Sequence, residues 1–303
     1  MKGSLTKVDA LLLLTVLIGL AGVIGVSRLI EAQRAVPSVA TPEEQLYLNG
    51  ATVKRMSLGF NGLAADWYWM RSLQYVGRKV LTSGQTYQLD NLGALNLKLL
   101  PPLLDTATTL DPQFMEPYEY AAIVLPGIDI KEATRITQKG IAANPSSWRL
   151  YQHLGYIHWQ QQDYEAARDT YLAGARIPGA PPWMEAMQAR MAVEGGSRDT
   201  AREIYQRMYE QSDDEKVREM ARRRLLQLRS FDERDGLRRM MAVYKSQTGR
   251  CPVSWTELAP TLRALKIPVD AAGAPFDPSG VAYVLPADKC EVETDPRSEV
   301  PNK

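Results

Sequence analysis

"HLGYIHWQQQDYEAARDTYLAG", His153 to Gly174, holds both histidines of the chain among glutamines and aromatics. That composition suits either an active site or two helices packed together, and spacing decides between them. Ala133, Ala167 and Ala201 stand 34 residues apart in succession. Thr137, Tyr171 and Tyr205 follow each of them by 4 positions, and Ala121, Gly155 and Ala189 precede each by 12. The segments PYEYAAIVLPGIDIKEATRITQKG (117–140), YQHLGYIHWQQQDYEAARDTYLAG (151–174) and EAMQARMAVEGGSRDTAREIYQRM (185–208) therefore align without gaps. A fixed period of this length marks stacked supersecondary units. Each unit reads as helix, short turn, helix: the small residue in the first helix lets the second pack close. The alanine sits at the crossing, and the residue one turn later fills the gap.

This period and pattern resemble the tetratricopeptide repeat. The middle copy matches best, with Leu154-Gly155, Ala167, Tyr171, Gly174 and the turn QDYEAA (162–167). The first copy ends in AANP, with Pro145 where such repeats place a proline; the third departs at Gln188, where leucine is usual. The resemblance covers Phe114 to Asp214, and TLDP (109–112) closes a degenerate earlier copy whose second helix would be Leu99–Leu110. It implies an α-solenoid whose first helices line a concave groove for a peptide or protein.

On that geometry the middle unit presents Arg149, Gln152, His153, Tyr156, Trp159 and Gln160 to the groove. The preceding unit gives Met115, Tyr118, Glu119 and Ala122, and the following one Trp183, Met187, Arg190 and Glu194. Aromatics, methionine and arginine are the residues that interface hot spots favour. The competing reading is that the chain's own terminal segments cover part of this face. His158 falls on the core side and is expected to be packed and hydrogen-bonded. His153 lies on another face, so the two histidines do not form an i, i+4 metal pair.

Towards the N-terminus, Lys2 and Lys7 precede a charge-free run from Ala10 to Val26. Extended to Ile30 it gives about 20 helical residues, enough to span a hydrocarbon core. A cleaved signal peptide competes, but SRLIEAQRA (27–35) offers no clean small-x-small site. The expectation is an uncleaved single-pass anchor over residues 10–30. A slight excess of basic charge before the run leaves the body outside the cytoplasm, in the periplasm. Gly19, Gly22 and Gly25 lie near one helix face, which suits either helix packing or the ordinary glycine content of such helices.

LGFNGLAADWYWMRSLQYVG (58–77) reads as a helix that is apolar nearly all round, and is therefore expected to be buried, with Asp66 and Arg71 paired or capping within the fold. AADWYWMRSLQY (64–75) resembles stretches of membrane-anchored bacterial repeat proteins, which implies the bacterial inner membrane. From Lys216 to Arg239 the chain is helical and basic, with Arg218, Arg222, Arg223, Arg224 and Arg229. This fits a solvated capping helix, or alternatively a site for acidic headgroups or an acidic partner.

Beyond it come loops rich in proline and glycine, a short helix from Ser254, and two expected strands, Val281–Leu285 and Cys290–Glu293. TGRCP (248–252) and FDPSGVAYVL (276–285) resemble the segment after the long helix of type II secretion pseudopilins. The chain lacks the pilin-type processing site, so the resemblance implies a shared local fold only. Cys251 and Cys290 are the only cysteines. An even pair in a loop-rich segment outside the cytoplasm suits a disulfide, against two unrelated buried thiols.

The expected organisation is an anchor (1–34), a linker with a short helix (35–57), N-terminal helices (58–113) and tetratricopeptide-like repeats (114–215). Basic capping helices (216–250), a disulfide-closed segment (251–293) and a loose tail (294–303) follow. The fold class is mainly α, a transmembrane helix and α-solenoid with a small C-terminal α+β segment. Near-neutral charge, 36 basic against 35 acidic side chains, argues against a nucleic-acid binder. No motif for catalysis, metal or cofactor binding is present. The sequence thus points to a non-enzymatic scaffold holding a protein partner, as a subunit or assembly factor of a bacterial envelope complex. The alternative is an enzyme, or an enzyme's accessory subunit, with its site hidden in the groove.

Overall fold

The computed structural model describes residues 7–33, 48–83, 89–286 and 289–301, with side chains described for all but 7–13, 30–33 and 89–91. The chain divides into two units, 1–49 and 50–303. Among its described residues the first contains one helix, α1 (Lys7–Gln33). Among the described residues no helix is long and apolar enough to cross a membrane. The part of α1 with described side chains, Leu14–Leu29, is exposed throughout. The rest of the expected anchor, residues 10–13 and 30, lies outside the described side chains.

The second unit is mainly helical, with no strand among its described residues, and its successive helix pairs are consistent with an α-solenoid. The short α2 (Gly50–Met56) lies on α4 (Leu100–Leu110), where a Cβ on Gly50 would come 2.9 Å from Thr109 Cβ. The long α3 (Asn61–Ser83) also packs on α4. Three helical hairpins follow: α5 (Met115–Val124) with α6 (Ile130–Ala143), α7 (Trp148–Gln160) with α8 (Tyr164–Ala175), and α9 (Trp183–Glu194) with α10 (Arg198–Gln211). Two of the three second helices, α6 and α8, begin at a capping aspartate. Asp129 accepts from the amides of Lys131 and Glu132 at 3.0 and 3.1 Å, and Asp163 from that of Ala166 at 3.0 Å. Each such cap contributes about 1 kcal/mol.

The 34-residue register is a burial register. Ala133, Ala167, Ala201, Ala121 and Ala189 are fully buried, and Thr137, Tyr171 and Tyr205 are buried one turn beyond the crossing alanines. Between α4 and α6, the Lys139 ammonium lies 3.0 Å from Asp105 Oδ1 and donates to Thr108 Oγ1 at 3.0 Å and Thr109 Oγ1 at 2.6 Å.

The expected burial of the 58–77 stretch is corrected. Only Ala65, Tyr68, Ser72 and Tyr75, one face of α3, are buried. Trp69 is half-buried, edge-on to Tyr120 and Phe114 at 5.3 and 6.2 Å. Phe60, Leu63, Trp67 and Met70 are exposed. The helix has core on one side only, so its second apolar stripe has nothing to bury against. Asp66 and Arg71 do not pair, being five residues apart on a helix; the Arg71 guanidinium lies 5.0 Å over the Trp67 ring instead.

Residues 216–250 form essentially one helix, α11 (Glu215–Thr248), capped by Asp214 and ended by Gly249 at φ +81°. Its basic character is largely paired along its own surface: Arg218 with Glu215 at 3.2 Å, Arg222 with Glu219 at 2.8 Å, Arg229 with Glu233 at 2.8 Å. The C-terminal segment packs Trp255, Leu258, Leu262, Tyr283 and Val292 onto Leu237 and Met241 of α11. A 3-10 turn, Trp255–Leu258, leads into α12 (Ala259–Ala264).

The two expected strands reduce to isolated bridges: Val284 and Glu293 exchange hydrogen bonds of 2.9 and 3.0 Å, and Ala282 pairs with Phe276. Pro275, Pro278 and Pro286 flank this path and have no N–H to extend a ladder. Cys251 and Cys290 are joined in a disulfide with Cα atoms 5.3 Å apart. The tail is packed as far as Pro301: Val300 is buried, and Gln227 Nε2 donates to the Pro301 carbonyl at 3.0 Å.

Candidate functional site

Positions 152, 153, 156 and 160 repeat at helical spacing, so Gln152, His153, Tyr156 and Gln160 share one face of α7. That face forms the floor of a groove of about 740 Å³. Trp183 and Met187 of α9 make one wall. Ile123, Pro126, Gly127 and Ile130, the corner between α5 and α6, make the other. The groove combines an apolar surface with a few amide, phenol and imidazole groups, the usual make-up of a recognition site. Tyr156 and Trp183 stand up from it, 44% and 40% exposed.

Seven of the residues expected to line the groove meet there: Ala122, Gln152, His153, Tyr156, Gln160, Trp183 and Met187. Tyr118 does not. It is 0% exposed, lies 2.8 Å from where a Cβ on Gly140 would be, and donates to the Thr108 carbonyl at 3.3 Å. It is core, because it fills the crossing where α6 passes closest. Trp159 is half-buried against the cluster of Ala167, Tyr171, Met184 and Met191.

Arg190 lies 5.5 Å over the Trp159 ring and 3.7 Å from Glu194, and the Tyr156 and Trp159 rings are 5.4 Å apart. The row Arg190–Trp159–Tyr156 thus forms a rim. A second row is built the same way. Arg149 lies 5.0 Å over Trp148, whose ring meets Trp183 edge-on at 5.9 Å. Trp148 and the α5–α6 corner were not expected from sequence. The dipeptide Pro126-Gly127 was the available signal, since it forces the turn that brings Ile123 and Ile130 together.

Burial lowers the His153 imidazole from its ordinary pKa, with the Glu119 charge opposing. The ring is therefore neutral near pH 7, with one donor and one acceptor nitrogen. Burial likewise pushes the Tyr171 phenol up to about 12. His158 is half-buried, and its Nδ1 has no hydrogen-bond partner, unlike the bonded core histidine expected. Gln188 is buried, and its Oε1 has no hydrogen-bond partner among the described residues. Among the described residues, no group of three or more His, Cys, Asp or Glu is placed to hold a metal ion.

In comparison with known proteins, no family model and no curated protein matches the chain.

Proposed function

We propose that the chain is a membrane-anchored scaffold of the tetratricopeptide type that holds a peptide or a segment of a partner protein in the α5–α7–α9 groove. On this reading α1 is the anchor, the body lies in the periplasm of a bacterium, and the partner belongs to an envelope complex. The observation that carries the reading is the groove itself. A solvent-open concavity presents Tyr156 and Trp183 as exposed rings, with Gln152, Gln160 and His153 between them to bond a backbone. Exposed aromatics of this size are surface that a partner would desolvate. The Cys251–Cys290 disulfide supports an oxidising compartment.

The test is a comparison of two full-length chains tagged after Lys303 and solubilised from membranes. The wild type should retain a stoichiometric protein partner. The Tyr156→Ala/Trp183→Ala chain should lose it while its melting temperature and helical signal stay unchanged. A lone wild-type chain carrying a small molecule would overturn the scaffold reading in favour of an enzyme.

A further inference from the structure

A second exposed apolar surface lies outside the groove. Along α2 and α3, Met56, Leu58, Phe60, Leu63, Trp67 and Met70 are all exposed, Leu58 at 86% and Phe60 and Leu63 at 71%. Positions 60, 63, 67 and 70 recur at helical spacing, so four of them form one stripe, opposite the Ala65–Tyr75 face that packs into the core. At its head is the tip between the two helices. There Leu58 takes the left-handed conformation at φ +50° and Gly59 follows at φ +94°. For a bulky residue that conformation is costly, and strain of this kind collects at sites with a task.

The charge of this region sets it apart. Residues 48–83 carry Lys54, Arg55, Arg71, Arg78 and Lys79 against Asp66 alone, a net +4 in a chain whose total is +1. The remainder of the chain is therefore net acidic. Lys54 and Arg55 are exposed beside the tip, and the helical positions of Arg71 and Arg78 flank the stripe along one edge. An apolar stripe bearing Phe, Leu, Trp and Met and edged by basic residues is the composition of an interfacial membrane surface. Basic residues near an anionic leaflet add electrostatic attraction to the apolar contact. In sequence, only residues 34–47 separate this region from the apolar helix α1.

We propose that the α2–α3 tip and the exposed stripe of α3 seat on an anionic lipid surface, Leu58, Phe60 and Leu63 entering the interface while Lys54 and Arg55 meet the headgroups. This deepens the membrane-attached reading above and rests on it. A soluble partner protein would not need the basic edge. A second copy of the chain would place +4 against +4.

The test uses the full chain with Leu63→Cys carrying an environment-sensitive fluorophore; the native cysteines, being disulfide-bonded, do not react without reductant. The chain is reconstituted in phosphatidylcholine vesicles with and without phosphatidylglycerol, using lipids bearing an acyl-chain quencher. A Gln161→Cys label, at the exposed α7–α8 turn, is the control. The position 63 label should shift to the blue and be quenched in the phosphatidylglycerol vesicles, the control label should not, and adding Leu58→Asp and Phe60→Asp should abolish the quenching. Equal, water-like emission from both labels overturns the proposal. So does a position 63 label already shielded in detergent, with copy-to-copy crosslinking at that position identifying a second chain and its absence a segment of the same chain. Alkaline extraction run in parallel separates the two readings. A chain that resists extraction but shows no quenching at 63 refutes this inference alone, and a chain released by alkali refutes the anchor.

Discussion

The ring of Tyr171 fills the space that a side chain at Gly155 would need. A Cβ built on the glycine would lie 2.8 Å from Cε2 and 2.9 Å from Cδ2 of that buried ring. The contact joins α7 to α8 and recurs in kind between Gly140 and Tyr118. Gly155→Ala gains about 1 kcal/mol of helix propensity, but the rigid ring beneath must move, and overpacking costs about 1–3 kcal/mol. The expected net effect is destabilisation, read as a lower thermal midpoint. Gly236→Ala, at a position in α11 where nothing lies within 4 Å, should raise it. Should Gly155→Ala melt at or above the wild-type temperature, the helices are not held at this distance in solution.

The same contact shows why the paired helices were legible. A helix crossing this tight admits only Gly or Ala, so the constraint is written into residue identity at Ala133, Ala167, Ala201 and Gly155. Surface placement leaves no such mark. Tyr118 and Tyr156 are both tyrosines on first helices, yet one is core and the other groove, because Tyr118 fills the close crossing at Gly140 while Tyr156 opens onto the groove. The α3 stripe was misread for a related reason: apolar composition says that a helix face wants cover, not that the fold supplies it.

The second prediction concerns acid. Burial would raise the Asp105 carboxyl, but hydrogen bonds and charge from Lys139 and Arg135 outweigh it and hold the group below its ordinary 3.8. A depressed carboxylate binds fewer protons folded than unfolded, so its stabilisation is complete above about pH 4 and is lost as pH falls through the lower folded value. Asp105→Asn should therefore melt lower than wild type at neutral pH, with the gap closing below that window. A gap that persists unchanged in acid would mean the carboxylate charge is not what holds α4 to α6.

A third prediction follows from the disulfide, which closes a separation of 39 residues around a segment docked by a small core. The chain-entropy account gives about 3–4 kcal/mol for such a loop. Cys251→Ser/Cys290→Ser should speed amide exchange across 251–301 while leaving the hairpins α5 to α10 protected. If exchange rises over the whole body, the C-terminal segment is not a separable stability unit but part of the solenoid's cooperative core.

The last prediction separates two neighbouring rings that a sequence reading places together. Tyr156 and Trp159 were both expected in the groove, and their rings touch at 5.4 Å. Their burial differs. Tyr156 is exposed and lines the groove, whereas Trp159 is packed against Tyr171 and Met184 beneath the Arg190 guanidinium. Truncating an exposed ring removes little folding energy, while a half-buried indole takes both apolar area and a cation–π contact with it. Tyr156→Ala should therefore leave the thermal midpoint within a degree or so of wild type, since surface changes stay near ±0.5 kcal/mol. Trp159→Ala should lower the midpoint by several degrees, about 2–3 kcal/mol at 2–4 °C each for a body of this size. In a partner pull-down normalised to folded protein, the order should invert, with Tyr156→Ala weakening retention more. Equal melting of the two variants would show that Trp159 is as free as Tyr156, and the wall of the groove would then have to be redrawn to include it.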